Sequence, residues 1–181
     1  MSLKHYFQKI ILKRGEPPRE KKFHSFDTAR SVGIVFPVMD EQSEEAFNVL
    51  RNALKKYSIP FDGLAIESSK SPVNMFWCIS NPNITVINRK EVNWMGMISN
   101  EENISGFTGF NYDLAINMSV DDSFTCRYVI RRMRASFKIG LGTRNDPTYD
   151  MVIQPHGEDA TFTQLELAEE IVLYLSTIKS K

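Results

Sequence analysis

The chain has 181 residues, 42% of them apolar, and its 22 Lys/Arg are balanced by 22 Asp/Glu. That length suits one hydrophobic core, and the neutral total removes any global electrostatic case for nucleic acid or an anionic membrane. The balance conceals an asymmetry: residues 1 to 30 carry eight Lys/Arg but only Glu16, Glu20 and Asp27, so the start is about +5 and the remainder about −5.

Leu3, Tyr6, Phe7, Ile10 and Ile11 recur at helical spacing, which predicts an amphipathic helix over 2–13. Gly15 and Pro17-Pro18 stop it, and the polar run 14–25 reads as a solvated linker. Residues 1–25 are therefore expected to form a basic helical arm and linker, docked or free, ahead of a single domain over 26–181. Ser31 to Pro37 reads as a buried parallel strand. Asp40 is an N-cap candidate for a helix to Tyr57 that turns Ala46, Phe47, Leu50 and Leu54 inward. Phe61 to Glu67 reads as the next strand and completes a βαβ unit. Residues 68–111 are the least regular, rich in aromatic residues, with short strands expected at Met75–Ile79 and Ile84–Ile87. A second unit follows: strand Tyr112–Met118, helix Asp121–Ser136, strand Phe137–Gly140. Tyr149–Ile153 is one strand more, and Thr161 and Gln164 stand in capping-box spacing at the start of a last helix. The alternation predicts an α/β fold, a three-layer Rossmann-like sandwich with a mainly parallel sheet, plus the N-terminal amphipathic helix.

Cys78 and Cys126 lie in apolar surroundings without a CxxC pattern, which predicts buried free thiols of a reducing, cytoplasmic setting. Ile10-Ile11-Leu12 is too short for a secretory core, and no run approaches the length of a transmembrane segment. Asn83, Asn103 and Asn117 begin glycosylation patterns that are chance matches in an unexported chain.

In a doubly wound sheet a ligand sits past the carboxyl ends of the strands, where the strand order reverses. That rule selects Asp40, Ser68, Ser119, Asp121, Thr143, Arg144 and His156 as ligand candidates, able to hold a small phosphate or carboxylate through hydroxyls, an Arg and a helix start. Gly140-Leu141-Gly142-Thr143-Arg144 lacks the rest of a dinucleotide or P-loop pattern and reads as a turn. His156 has carboxylates nearby at Glu158 and Asp159, but His5 and His24 belong to the arm, so no metal site and no cofactor are expected. Arg127, Arg131 and Arg134 fall at i, i+4, i+7 on the expected helix. With Lys13, Arg14, Lys21 and Lys22 of the arm they outline a partner-binding surface facing protein, RNA or lipid; the plainer reading is a solvated face paired with the acidic body.

Ser25 to Phe36, Asn88 to Gly96 and Tyr112-Asp113-Leu114-Ala115-Ile116-Asn117 resemble an uncharacterised family, a domain of unknown function common in Bacteroidetes. That resemblance implies size and layout, with no activity. A weaker similarity, over Tyr112 to Gly140, is to the N-terminal Rossmann-like half of heptosyltransferase-type glycosyltransferases, which bind their nucleotide-sugar mainly through the other half. Two functions from different classes are thus expected. The first is a non-catalytic domain engaging a protein partner or a second copy through its arm or basic helix. The second is a binder of, or small enzyme acting on, a nucleotide or sugar phosphate. Zero net charge disfavours nucleic acid.

Overall fold

The computed structural model describes residues 3–14, 16–69, 71–121, 123–143, 146–155 and 160–178. The elements run α1 (Leu3–Arg14), β1 (Val32–Val38), α2 (Gln42–Lys56), β2 (Phe61–Glu67), α3 (Phe76–Ile79), β3 (Ile84–Ile87), α4 (Glu102–Gly109), β4 (Asn111–Asn117), α5 (Phe124–Arg132), β5 (Arg134–Leu141), β6 (Met151–Ile153) and α6 (Gln164–Thr177). All six strands pair in parallel in the order β3-β2-β1-β4-β5-β6. Strand β1 is central, and all seven of its residues are buried, as a strand covered on both faces requires. Ile34, Phe36 and Val38 join the core under α2 and α6. Val35 joins a second core with residues of α4 and α5. Helices thus cover both faces, and α1 lies outside α5 as a further layer.

Several expectations need correction. Met75–Ile79 is not a strand: Phe76 to Ile79 make one helical turn, begun where the Asn74 side chain accepts the Phe76 N–H (3.0 Å). The turn buries Cys78 and stacks Trp77 on Phe36, while Phe76 and Ile79 face out. The irregular middle is more ordered than its composition implied. It contains α4 and a reversal, Val92↔Ile98, closed at Gly96, whose φ of 87° suits glycine. Helix α5 starts at a Ser123 cap rather than at Asp121, and it ends four residues early. Arg134 is already paired with Asn111 in the sheet, so Arg127, Arg131 and Arg134 do not share one helix. Finally, α6 is capped by Thr163 with Glu166, which shifts the capping box two residues along and makes Gln164 the first helical residue.

The linker is docked on the sheet rather than free in solvent. Strand β6 pairs only with Ile139 to Leu141, leaving the first half of β5 without a strand neighbour on that side. Residues 16–23 cover it. The Lys22 N–H donates to Ser136 O (3.1 Å), Arg19 Nη1 donates to the same oxygen (3.2 Å), and Phe23 packs edge-on against Phe137. An exposed edge is thereby closed by the chain's own arm. Lys138, fully buried in β5, meets Glu16 Oε1 (3.4 Å) and donates to Arg131 O (3.1 Å). Arg131 reaches Glu16 Oε2 (3.2 Å), and Arg19 grips Asp150 with both terminal nitrogens (2.6 and 3.0 Å).

Candidate functional site

The strand order reverses between β1 and β4, but the crevice there is filled by protein. Gln164 reaches down from the start of α6, and its Nε2 donates to Pro37 O (3.0 Å) and Met118 O (3.3 Å). The β1–β4 ladder ends at Val35↔Asn117, so the buried amide joins two strand ends that the sheet itself no longer pairs. The neighbouring turn is equally closed to phosphate. Asp40, Glu41, Glu44 and Glu45 crowd the start of α2, and an acidic helix start repels the anion such a position ordinarily receives. Asp40 Oδ1 accepts the Gln42 N–H (2.9 Å). Ser68 stands beside it, its N–H on Val38 O (3.0 Å) and its hydroxyl on Ile66 O (3.3 Å). Both expected ligand residues are occupied by backbone hydrogen bonds of their own turns.

One strand further along, a cavity of about 490 Å³ opens past the ends of β4, β5 and β6. Asp121 follows β4. Leu141 ends β5, Gly142, Thr143 and Asp146 follow it, and Pro155 follows β6. Thr161 and Phe162 enter from the approach to α6, and Arg127 from α5. A hydrogen-bond chain runs from floor to rim: Asn117 Nδ2 donates to Tyr149 Oη (2.6 Å), the Ser119 N–H to Asn117 Oδ1 (3.0 Å), and Ser119 Oγ to Asp121 Oδ1 (2.6 Å). Burial raises the Tyr149 phenol above its ordinary pKa, so it stays a neutral hydrogen-bonding floor. The ring fits because position 140 is glycine: a Cβ there would stand 2.7 Å from Tyr149 Cε1. Arg127 Nη2 lies 3.1 Å from Asp146 Oδ2, placing a cation beside a carboxylate in a cavity that Asp121 also lines. Cys126, on the same turn of α5, is fully buried with its thiol pushed up to about 12, chiefly by burial, and stays protonated at neutral pH.

Of the ligand candidates, Asp121 and Thr143 line this cavity and Ser119 supports it from below, while Arg144 and His156 lie outside the described residues. The expected partner-binding residues divide differently. Arg127 belongs to the cavity. Arg131 is no surface cation, being 7% exposed and held by Glu16. Lys21 pairs with Asp150 (3.0 Å); Lys13, Lys22 and Arg134 have exposed side chains, and that of Arg14 lies outside the described residues. His24 is not on a mobile arm: it is buried beside Asp113 (3.8 Å) at the amino ends of the strands. Gln164, Asp146, Tyr149 and Phe162 were not assigned to a site from sequence. Tyr149 had a signal, because Gly140 and Gly142 within and after a strand mark a close approach. Among the described residues there is no group of three His, Cys, Asp or Glu able to hold a metal, and no helix long and apolar enough to cross a membrane.

Fold and cavity define a Rossmann-like α/β protein whose candidate site lies at the carboxyl ends of its strands. The chain belongs to a family of unknown function (DUF6913), whose model matches residues 1–178. No curated protein matches it. Among solved structures it is similar to E. coli heptosyltransferase WaaC with ADP-2-deoxy-2-fluoro heptose. The identity is 11% and the TM-score 0.46, over 82% of this chain and 50% of that chain, so this chain spans about half the length of that enzyme.

Proposed function

We propose that this domain binds a small hydroxyl-bearing ligand of the sugar-phosphate or nucleotide class in the cavity past β4, β5 and β6. The observation that carries the reading is the composition of one compact hollow. Apolar Leu141, Tyr149 and Phe162 offer a wall for a ring, Asp121 and Asp146 accept hydroxyls, and Arg127 is the cation within reach of an anionic group. A volume of about 490 Å³ falls in the range of small-molecule sites. Binding rather than turnover is favoured, because burial keeps both Tyr149 and Cys126 in their unreactive neutral forms. The arm supports recognition of a partner less well, since Arg19 and Lys21 are taken up by Asp150.

The test is a thermal-shift and calorimetric screen of nucleotides, nucleotide-sugars, sugar phosphates and free sugars. Saturation at about 100 times Kd stabilises by about 2.7 kcal/mol. The expected result is a saturable rise in Tm that is lost in Thr143→Trp, which fills the mouth from an exposed position without disturbing the core. No stabilisation by any of these ligands at millimolar concentration overturns the reading.

A further inference from the structure

Helix α1 has two apolar sides, and only one of them is used. On the inner side Ile11 and Leu12 pack against the core beneath α5, and Gln8 Nε2 donates to Met95 O (2.8 Å). On the outer side Leu3 is 71% exposed, Tyr6 55% and Phe7 43%, with Ile10 half-buried behind them. Their i, i+3, i+4, i+7 spacing makes one continuous stripe about two turns long. Trp94, the residue before the Met95 that receives Gln8, is 73% exposed on the loop that α1 contacts. Exposed aromatic residues gathered on one helix and its contact loop mark a surface meant to be covered.

We infer that this stripe seats the protein on an anionic lipid surface. The helix contains no Asp or Glu, whereas Lys4, Lys9 and Lys13 lie along it with exposed side chains. The apolar line is therefore flanked by positive charge alone, with Lys4 and Lys9 at the edges of the groove toward α5, the pattern of a helix lying in a membrane interface. Tyr and Trp, each an apolar body with a polar tip, are suited to that boundary. A second copy of the chain is the poorer occupant, because two such faces brought together would oppose lysine to lysine. The stripe is the outside of a helix rather than a walled groove, and a fluid lipid surface conforms to such a shape without a matching concavity.

The test is co-sedimentation of the full chain with phosphatidylglycerol-containing vesicles and with pure phosphatidylcholine vesicles, at low and high salt. Expected are binding to the anionic vesicles, weakening as salt rises, and about a tenfold or greater fall in partitioning for Leu3→Ala/Tyr6→Ala/Phe7→Ala with circular dichroism and Tm unchanged. Lys9→Glu/Lys13→Glu, which keeps the apolar stripe, is expected to lose the preference for anionic vesicles. Absence of binding, equal binding by the triple variant, or a self-associated state that the triple variant abolishes without any vesicle binding each overturns the inference.

Discussion

Strand β5 carries charge at two places, and the chain treats them in opposite ways. Along its first half, Lys138, Arg131, Glu16, Arg19 and Asp150 meet with side-chain exposures between 0% and 23%. Past its last residue, Arg127, Asp146, Asp121 and Thr143 stand around an open cavity. The residue types are nearly the same; the difference is enclosure. Charges taken out of water are tolerable only when each finds a partner, and the arm supplies Glu16 to two buried cations and Arg19 to a buried carboxylate. Among the described residues the cavity stays open at its mouth, where its polar groups keep a side for a ligand. Two charged clusters a few residues apart on one strand therefore act as a clasp and as a candidate receptor.

The sharpest way to break this comparison is to remove the clasp. Glu16→Gln leaves Lys138 and Arg131 without their carboxylate, and unfolding in urea is expected to show a loss of about 2–4 kcal/mol, below the full cost of breaking a fully buried pair because Glu16 keeps some solvent. A loss under about 0.5 kcal/mol, ordinary for a surface pair, would place the arm outside the cooperative unit.

The next effect is in pH. Burial lowers the Lys138 pKa from 10.5 to about 8, with Glu16 opposing only part of that shift. Between those values the unfolded chain binds the extra proton, so the Lys138 contribution to stability is expected to rise from about pH 8 to 10.5, by at most about 3 kcal/mol. It is read as the difference between wild type and Lys138→Met, because the buried thiols of Cys78 and Cys126 and the buried Tyr149 phenol, all raised by burial, lower total stability above about pH 9. Glu16 and Asp150 give the opposite limb. Burial alone would raise them, but the Arg19 hydrogen bond and nearby cations hold both below their ordinary values. Their contribution is present above the ordinary carboxylate range and is lost as pH falls through the folded values. A difference between wild type and Lys138→Met that stays flat above pH 8 would remove Lys138 from the clasp.

The smallest effect belongs to the cavity floor. Tyr149→Phe deletes the acceptor of the Asn117 amide and is expected to cost about 1–2 kcal/mol in denaturant while leaving the pH profile of the clasp unchanged. A change in that profile would mean that the two ends of β5 are not independent.

Much of the architecture was legible in residue order. Strand β2 matches its expected span, Phe61 to Glu67. The α2 face and both buried cysteines follow directly from periodicity and apolar context, because burial on one face repeats along the chain. Elements decided by distant partners were less legible. Met75 to Ile79 has the composition of a strand, yet the chance to stack Trp77 on Phe36 and Phe47 makes it a helical turn. Asp121 looked like a helix cap; it is instead the acceptor for Ser119 at the cavity rim, since Ser123 takes the cap.

The sequence by itself determined the parallel α/β sandwich and the amphipathic first helix, because hydrophobic spacing and turn residues are local quantities. Only the tertiary structure decided which strand end stays open, that Gln164 fills the reversal point, and that Glu16, Arg19, Lys138 and Asp150 form one buried network. Those outcomes depend on groups up to about 130 positions apart in the chain, such as Gln164 with Pro37 and Arg19 with Asp150, and no local pattern records such pairings.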